Sequence, residues 1–183
     1  MQNQESILDA NKIVAVFCDG GVIQKNPSSI GGTWAWCGVD ADGNRIVERG
    51  GVCPAPDGRL ITNNHTEQIA IVKALEFLPD GWSGVCHSDS MVALGRVFLG
   101  WATKNLPANI IYRTTAARLR MGQMKFVLLQ GHPTKADLKR GIGAKRNLPV
   151  SIHNVWCDQE YGRQAKAHLN ALAEQLQVCA EAA

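Results

Sequence analysis

The sequence predicts an α/β domain, a mixed five-stranded sheet with helices on both faces, in the element order βββαβααβα. Three strand-like runs joined by short turn signals open the chain. Segments with helical spacing then alternate with short apolar runs, which brings strands in from the far side of a crossover. The length, 183 residues, suits one domain able to bury a sizeable core. An apolar fraction of 45 % and a charged fraction of 19 % exclude a disordered chain.

Residues 12–18, KIVAVFC, are β-branched and apolar and read as a buried strand that Asp19 ends, with turn residues from DGG to NPSS after it. Residues 32–39 alternate and form a second strand. The Asp42-Gly43 pair is a hairpin signal, and residues 45–53 form a third strand, giving an antiparallel meander. After a polar loop, Asn63 or Asn64 is expected to cap a helix over 65–78, where Ile69, Val72, Leu75 and Leu78 recur at helical spacing. Residues 83–88 form a fourth strand. Helices follow over 90–101 and 108–120, the latter with a basic face. Residues 124–129 form the fifth strand, 131–153 a long loop, and 155–179 the last helix. Residues 1–11 are expected to be a flexible N-terminal extension and 12–179 a single domain.

Net charge is only +3, so partners depend on where charge is placed and not on its sum. The six cysteines form no C-x-x-C pair and are expected to be reduced and structural. The polar, acidic N-terminus lacks the pattern of a secretory signal, and no apolar run reaches the roughly 20 residues of a spanning helix. The expectation is a cytoplasmic monomer without membrane association.

Four acids occupy informative positions. Asp19 ends the first strand, Glu67 lies in the first turn of the first helix, Asp89 ends the fourth strand, and Asp158 lies in the first turn of the last helix. Strand ends and helix starts of an α/β fold gather at one edge, where ligands bind. Taken singly, each acid is an ordinary turn residue or dipole partner. Gathered, they would repel one another and persist only with cations, and hard oxygen donors on rigid elements suit Mg²⁺ or Mn²⁺.

The surroundings of these acids resemble the type 1 ribonuclease H family. The blocks are FCDGGVIQKNPSSIGGTWAWCGV (17–39), TNNHTEQIAIVKALE (62–76), HSDS (87–90), LQGH (129–132) and NVWCDQEYGRQA (154–165), in the family's order. The resemblance implies a ribonuclease H-like fold and a metal-dependent endonuclease that hydrolyses the RNA strand of an RNA–DNA hybrid, leaving 5′-phosphate and 3′-hydroxyl ends. It implies that Asp19, Glu67, Asp89 and Asp158 hold two Mg²⁺ ions, with Mn²⁺ as the alternative, and that His132 assists proton transfer or product release. It also implies that Gly20, Asn26, Thr62, Asn63 and Asn64 meet the nucleic-acid backbone. Two metals suit an in-line displacement, and asparagine amides offer both the donor and the acceptor that a ribose 2′-hydroxyl needs.

The chain departs from the family between His132 and Asp158, where the gap is longer. His153 is therefore a rival to His132, which is favoured because it follows a strand directly through Gly131. The extended loop carries Lys139, Arg140, Lys145 and Arg146, which could grip phosphates or be merely solvated, and glycines 141 and 143 suggest mobility until substrate binds. Many relatives carry a basic, Trp-rich protrusion after the second helix. Residues 101–122 look like a shortened version, for which the loop is a candidate substitute. The competing functions are a nuclease of the same fold acting on DNA and a non-catalytic hybrid-binding module. The two asparagine-containing blocks favour hybrid cleavage over the first, and the complete carboxylate set argues against the second.

Overall fold

Asp40 shapes the first hairpin by accepting from the backbone N–H groups of Asp42 (3.0 Å) and Asn44 (2.8 Å), while Gly43 takes a positive φ of 84°. The computed structural model describes residues 10–55, 59–103 and 106–181. Its strands are β1 (Ala15–Val22), β2 (Gly31–Val39), β3 (Arg45–Pro54), β4 (Val85–Ser88) and β5 (Lys125–Leu128). Its helices are α1 (Asn63–Phe77), α2 (Met91–Phe98), α3 (Ala108–Arg120), α4 (Lys135–Arg140) and α5 (Ile152–Glu181). The sheet order is β3-β2-β1-β4-β5, with β1, β2 and β3 antiparallel and β4 and β5 parallel to β1.

Strand alternation sorts the core onto two faces. Val16, Cys18, Trp36 and Cys86 point to one side, where Ile71 and Leu75 of α1 and Leu94 and Val97 of α2 cover them. Phe17, Ala35, Cys37 and Leu129 point to the other, against Cys157 and the half-buried Trp156 and Tyr161 of α5. Each fully buried aliphatic side chain contributes about 1.5–3 kcal/mol to this arrangement. The cysteines are free thiols. Among the described residues no helix is long and apolar enough to cross a membrane.

Several boundaries differ from expectation. β1 does not stop before Asp19 but runs through Asp19-Gly20-Gly21 to Val22, in register with Gly32–Val39 of β2. The glycines read as turn residues serve close packing instead: a Cβ on Gly20 would lie 2.6 Å from the Thr66 carbonyl carbon of α1, and one on Gly21 2.5 Å from the Tyr161 ring of α5. The cap of α1 is Thr62, not Asn63 or Asn64, and its backbone N–H donates to His65 Nδ1 (3.3 Å). Helix α1 thus starts two residues early, so Glu67 lies in its second turn; α5 starts at Ile152, so Asp158 does too. Helix α2 ends at Phe98, before Gly100 takes a φ of 70°.

The largest departure is the stretch expected to be a loop. Residues 133–150 contain α4, capped by Thr134, whose hydroxyl accepts from Asp137 N–H (3.1 Å) while Asp137 accepts in return from Thr134 N–H (3.0 Å). These bonds hold the Asp137 carboxyl down at about 2. Gly141, read as a source of mobility, is the left-handed C-cap of α4, and Ile142 pairs with Pro149 in a β-bridge. The element order is therefore βββαβααβαα. Of the extension expected over 1–11, residues 1–9 lie outside the described residues, whereas Ala10 is buried.

Candidate metal centre

The parallel pairing of β1 with β4 sets Asp19 beside the loop that carries Asp89, and the packing of α1 over Gly20 brings Glu67 to the same place. Asp19, Glu67 and Asp89 each offer a carboxylate oxygen, and the three oxygens lie within 4.8 Å of one another. Asp19 is the most enclosed, at 5 % exposure, and accepts from the Gly20 N–H (2.7 Å). Ser90, the N-cap of α2, donates its hydroxyl to Glu67 Oε2 (2.6 Å), which fixes one carboxylate oxygen and leaves the other for a ligand.

The electrostatics match the crowding. Burial first, and then the Asp89 charge, hold the Asp19 carboxyl well above the ordinary carboxylate range. Burial also raises Glu67, against the opposing Ser90 hydroxyl, and raises Asp89. Three carboxyl groups that resist ionisation together form a donor set suited to a small hard cation, whose charge would remove the penalty. Oxygen-only donors fit Mg²⁺ or Mn²⁺ better than a thiophilic metal.

Asp158 stands beside this trio and outside its tight cluster. His132 Nδ1 lies 3.6 Å from its Oδ1, and Tyr161 follows it by about one turn on the same face of α5. His132 is 75 % exposed and takes a left-handed φ of 48°. His153 is turned elsewhere: its ring meets Phe17 at 4.9 Å, and its Nδ1 lies 3.5 Å from Arg45 Nη1. Of the two histidines weighed from the sequence, only His132 reaches a carboxylate of the centre.

The other sequence candidates divide. Asn26 accepts from Asn63 N–H (3.4 Å) and Asn63 Oδ1 accepts from Val22 N–H (3.1 Å), so these amides help tie the 24–30 loop and β1 to the start of α1. Thr62 is half-buried at the cap, and Asn64 is exposed beside it. Gly20 is held under α1. Arg140 is committed to Asp137, whereas Lys139, Lys145 and Arg146 are exposed and form no ion pair among the described residues. The basic face read on α3 is partly spent within the fold, since Arg113 pairs with Glu76 (2.6 Å) and Arg120 with Asp80 (2.6 Å). A cavity of about 440 Å³ between β3, α1 and α3, lined by Trp34, Lys73 and Ile110 among others, contains none of the four acids.

Three site residues escaped the sequence reading. Tyr161 follows Asp158 by three residues, a spacing that places both on one helix face and could have flagged it. Gly131 stands in the LQGH block as the link between β5 and His132, and nothing in that position signals its packing on Asp89. A Cβ there would lie 2.2 Å from Asp89 Oδ2, so the chain passes the carboxylate with only a hydrogen to spare. Gln130, which precedes it, is buried and binds the 133–150 segment.

No protein-family model matches the chain, and no curated protein matches it at a significant level. Solved structures do match. RNase H1 from the halophilic archaeon Halobacterium salinarum superimposes with a TM-score of 0.51 at 22 % identity, over 69 % of this chain and 89 % of that one. The N-terminal RNase H domain of a Mycobacterium tuberculosis protein gives 0.58 at 13 % identity, over 87 % and 99 %. LC11-RNase H1, isolated from compost and solved in complex with an RNA/DNA hybrid, gives 0.59 at 18 % identity, over 85 % and 98 %. The chain has the ribonuclease H fold. On this ribonuclease H sheet the acids of β1, α1 and the β4–α2 junction converge, and Asp158 approaches from the helix on the opposite face.

Proposed function

We propose that the chain is a divalent-metal-dependent endonuclease that hydrolyses the RNA strand of RNA–DNA hybrids. The observation that carries the reading is the cluster of Asp19, Glu67 and Asp89 on a ribonuclease H fold, with Asp158 alongside. The solved LC11-RNase H1 complex with an RNA/DNA hybrid supports the substrate class.

In this reading the four acids hold two Mg²⁺ ions, or Mn²⁺, which supply the positive charge that eases proton loss from water and offsets charge on the departing 3′-oxygen. The chain's own residues do the rest. Asp19 and Asp89 present fixed carboxylates, and Ser90 keeps Glu67 oriented through its hydroxyl. His132, exposed and 3.6 Å from Asp158, would carry a proton to or from solvent as products leave, giving 5′-phosphate and 3′-hydroxyl ends. Asn64 and the rim formed by Asn26, Thr62 and Asn63 would face the nucleic-acid backbone, while Gly20, buried under α1, serves by letting the helix close on β1. The protein works as a cytoplasmic monomer.

The test is cleavage of labelled RNA–DNA hybrid, DNA duplex and RNA duplex with Mg²⁺, with Mn²⁺ and with EDTA, alongside Asp89→Asn. Metal-dependent cutting of only the hybrid's RNA strand, lost in the variant, is expected. Cutting of DNA would replace this reading with a DNA nuclease, and hybrid binding without cutting would leave a binding module.

A further inference from the structure

The segment between β5 and α5 is built onto the centre itself. Gln130, buried at the end of β5, accepts from Arg146 N–H through its side-chain oxygen (2.9 Å), and its backbone N–H donates to Pro149 (2.9 Å). Gly143 packs so closely on the Gln130 amide that a Cβ there would lie 2.1 Å from it. Inside the segment, Asp137 gathers Thr134, Ala144 N–H (3.0 Å) and the Arg140 guanidinium, which closes the fold of the excursion and uses up one of its cations. The next two residues after Gln130 are Gly131, pressed on Asp89, and His132, beside Asp158. One tripeptide thus joins the excursion to two of the four acids.

Cations without an ion pair occur elsewhere too, Lys25, Arg118 and Lys125 among the described residues, and the excursion carries a group of them. Arg45, Arg113, Arg120 and Arg163 are each paired with an acid on their own part of the surface. On the excursion Lys139, Lys145 and Arg146 are exposed and make no ion pair among the described residues. Arg146 has its backbone N–H fixed by Gln130 Oε1, one residue before the Gly131 that packs on Asp89. An exposed guanidinium whose backbone is anchored at the strand end that meets the acids is suited to an anion that the acids alone would repel, and guanidinium geometry matches phosphate oxygens.

We infer that residues 133–150 are a prefolded arm that grips the phosphate backbone of the duplex, with Arg146 and Lys145 seating a phosphate next to the carboxylates, Lys139 extending the contact, and Gln130 acting as the positioning residue that holds the arm. The inference deepens the proposed reading by naming where the substrate is held, and it assigns Arg140 to the arm's own fold. Because the arm is folded beforehand, little chain entropy is lost when the duplex binds.

The test is binding of a fluorescent RNA–DNA hybrid in EDTA across a salt series, for wild type, Lys139→Ala/Lys145→Ala/Arg146→Ala, Gln130→Leu, and Arg118→Ala on α3 as a charge control. Each phosphate contact contributes about 0.9 to the slope of log affinity against log salt. The triple variant is expected to lose roughly 2–3 from that slope and to bind at least about tenfold more weakly near 0.1 M salt. Gln130→Leu keeps every charge and is expected to lose part of the same slope, while Arg118→Ala keeps all of it. Circular dichroism is expected to show the folded helix content in each variant. An unchanged slope in the triple variant, an equal loss in Arg118→Ala, or wild-type binding without salt dependence would overturn the arm. The nuclease reading is scored separately by cleavage. A wild type that binds steeply but cuts nothing would end that reading and leave the arm, and cleavage with an unchanged triple-variant slope would do the reverse.

Discussion

Substitution of Gly21 by alanine perturbs one contact whose size can be worked out in advance. The new Cβ would lie 2.5, 3.0 and 3.2 Å from three carbons of the Tyr161 ring. Carbon atoms in ordinary contact are about 3.5–4.0 Å apart, so ring or strand must move by about 1 Å. Tyr161 is half-buried between β1 and α5 and cannot move without loosening its neighbours, so the expected destabilisation is about 1–3 kcal/mol, the usual cost of overpacking. Tyr161→Ala removes the obstacle and loses the ring's own packing. In the double variant the new methyl enters the vacated space, and the two effects are expected to cancel in part, with a coupling of about 1–3 kcal/mol. Urea unfolding of the four metal-free proteins at equal m-values measures this directly. Since the displaced ring stands one helical turn from Asp158 on the same face of α5, calorimetry is also expected to show weaker Mn²⁺ binding in Gly21→Ala. A single variant as stable as wild type, or a double variant equal to the sum of the singles, would refute the packing account.

Two further outcomes follow from the centre. Gly131→Ala drives a methyl to 2.2 Å from Asp89 Oδ2, so calorimetric Mg²⁺ or Mn²⁺ affinity is expected to fall at least about tenfold, the lower end of the range for disturbed ligand support; unchanged affinity would show that the carboxylate has room to move. Asp19→Asn addresses the pH dependence. Burial and Asp89 raise the Asp19 carboxyl, so the folded state holds its proton more tightly than the unfolded chain, and stability is highest below the ordinary aspartate range near ~3.9 and is lost as pH rises through the raised value. In EDTA the Asn variant is therefore expected to unfold at a higher temperature than wild type at neutral pH, by an amount that shrinks toward acid, while added Mn²⁺ stabilises wild type far more. Equal melting curves at neutral pH would remove the repulsion from the account.

The sequence by itself determined the strand meander, the alternation that splits the core, and the three acids, Asp19, Glu67 and Asp89, that the fold brings together. Those features are local: β-branched runs with period 2, Asp-Gly at a tight turn, and carboxylates at the edges of predicted elements. It misjudged Asp19-Gly20-Gly21 as a turn, because glycine marks both a turn and a close approach, and only the Thr66 backbone and the Tyr161 ring on opposite faces decide between them. It likewise took 131–153 for a mobile loop, since the bonds that fold this segment run from Gln130 and Asp137 to residues 7 and 16 positions away, beyond any local pattern. The choice between His132 and His153 was open in one dimension. Tertiary structure alone turns one toward Asp158 and sets the other against Phe17 and Arg45, because which side chain reaches a carboxylate depends on where β5 and α5 meet the sheet.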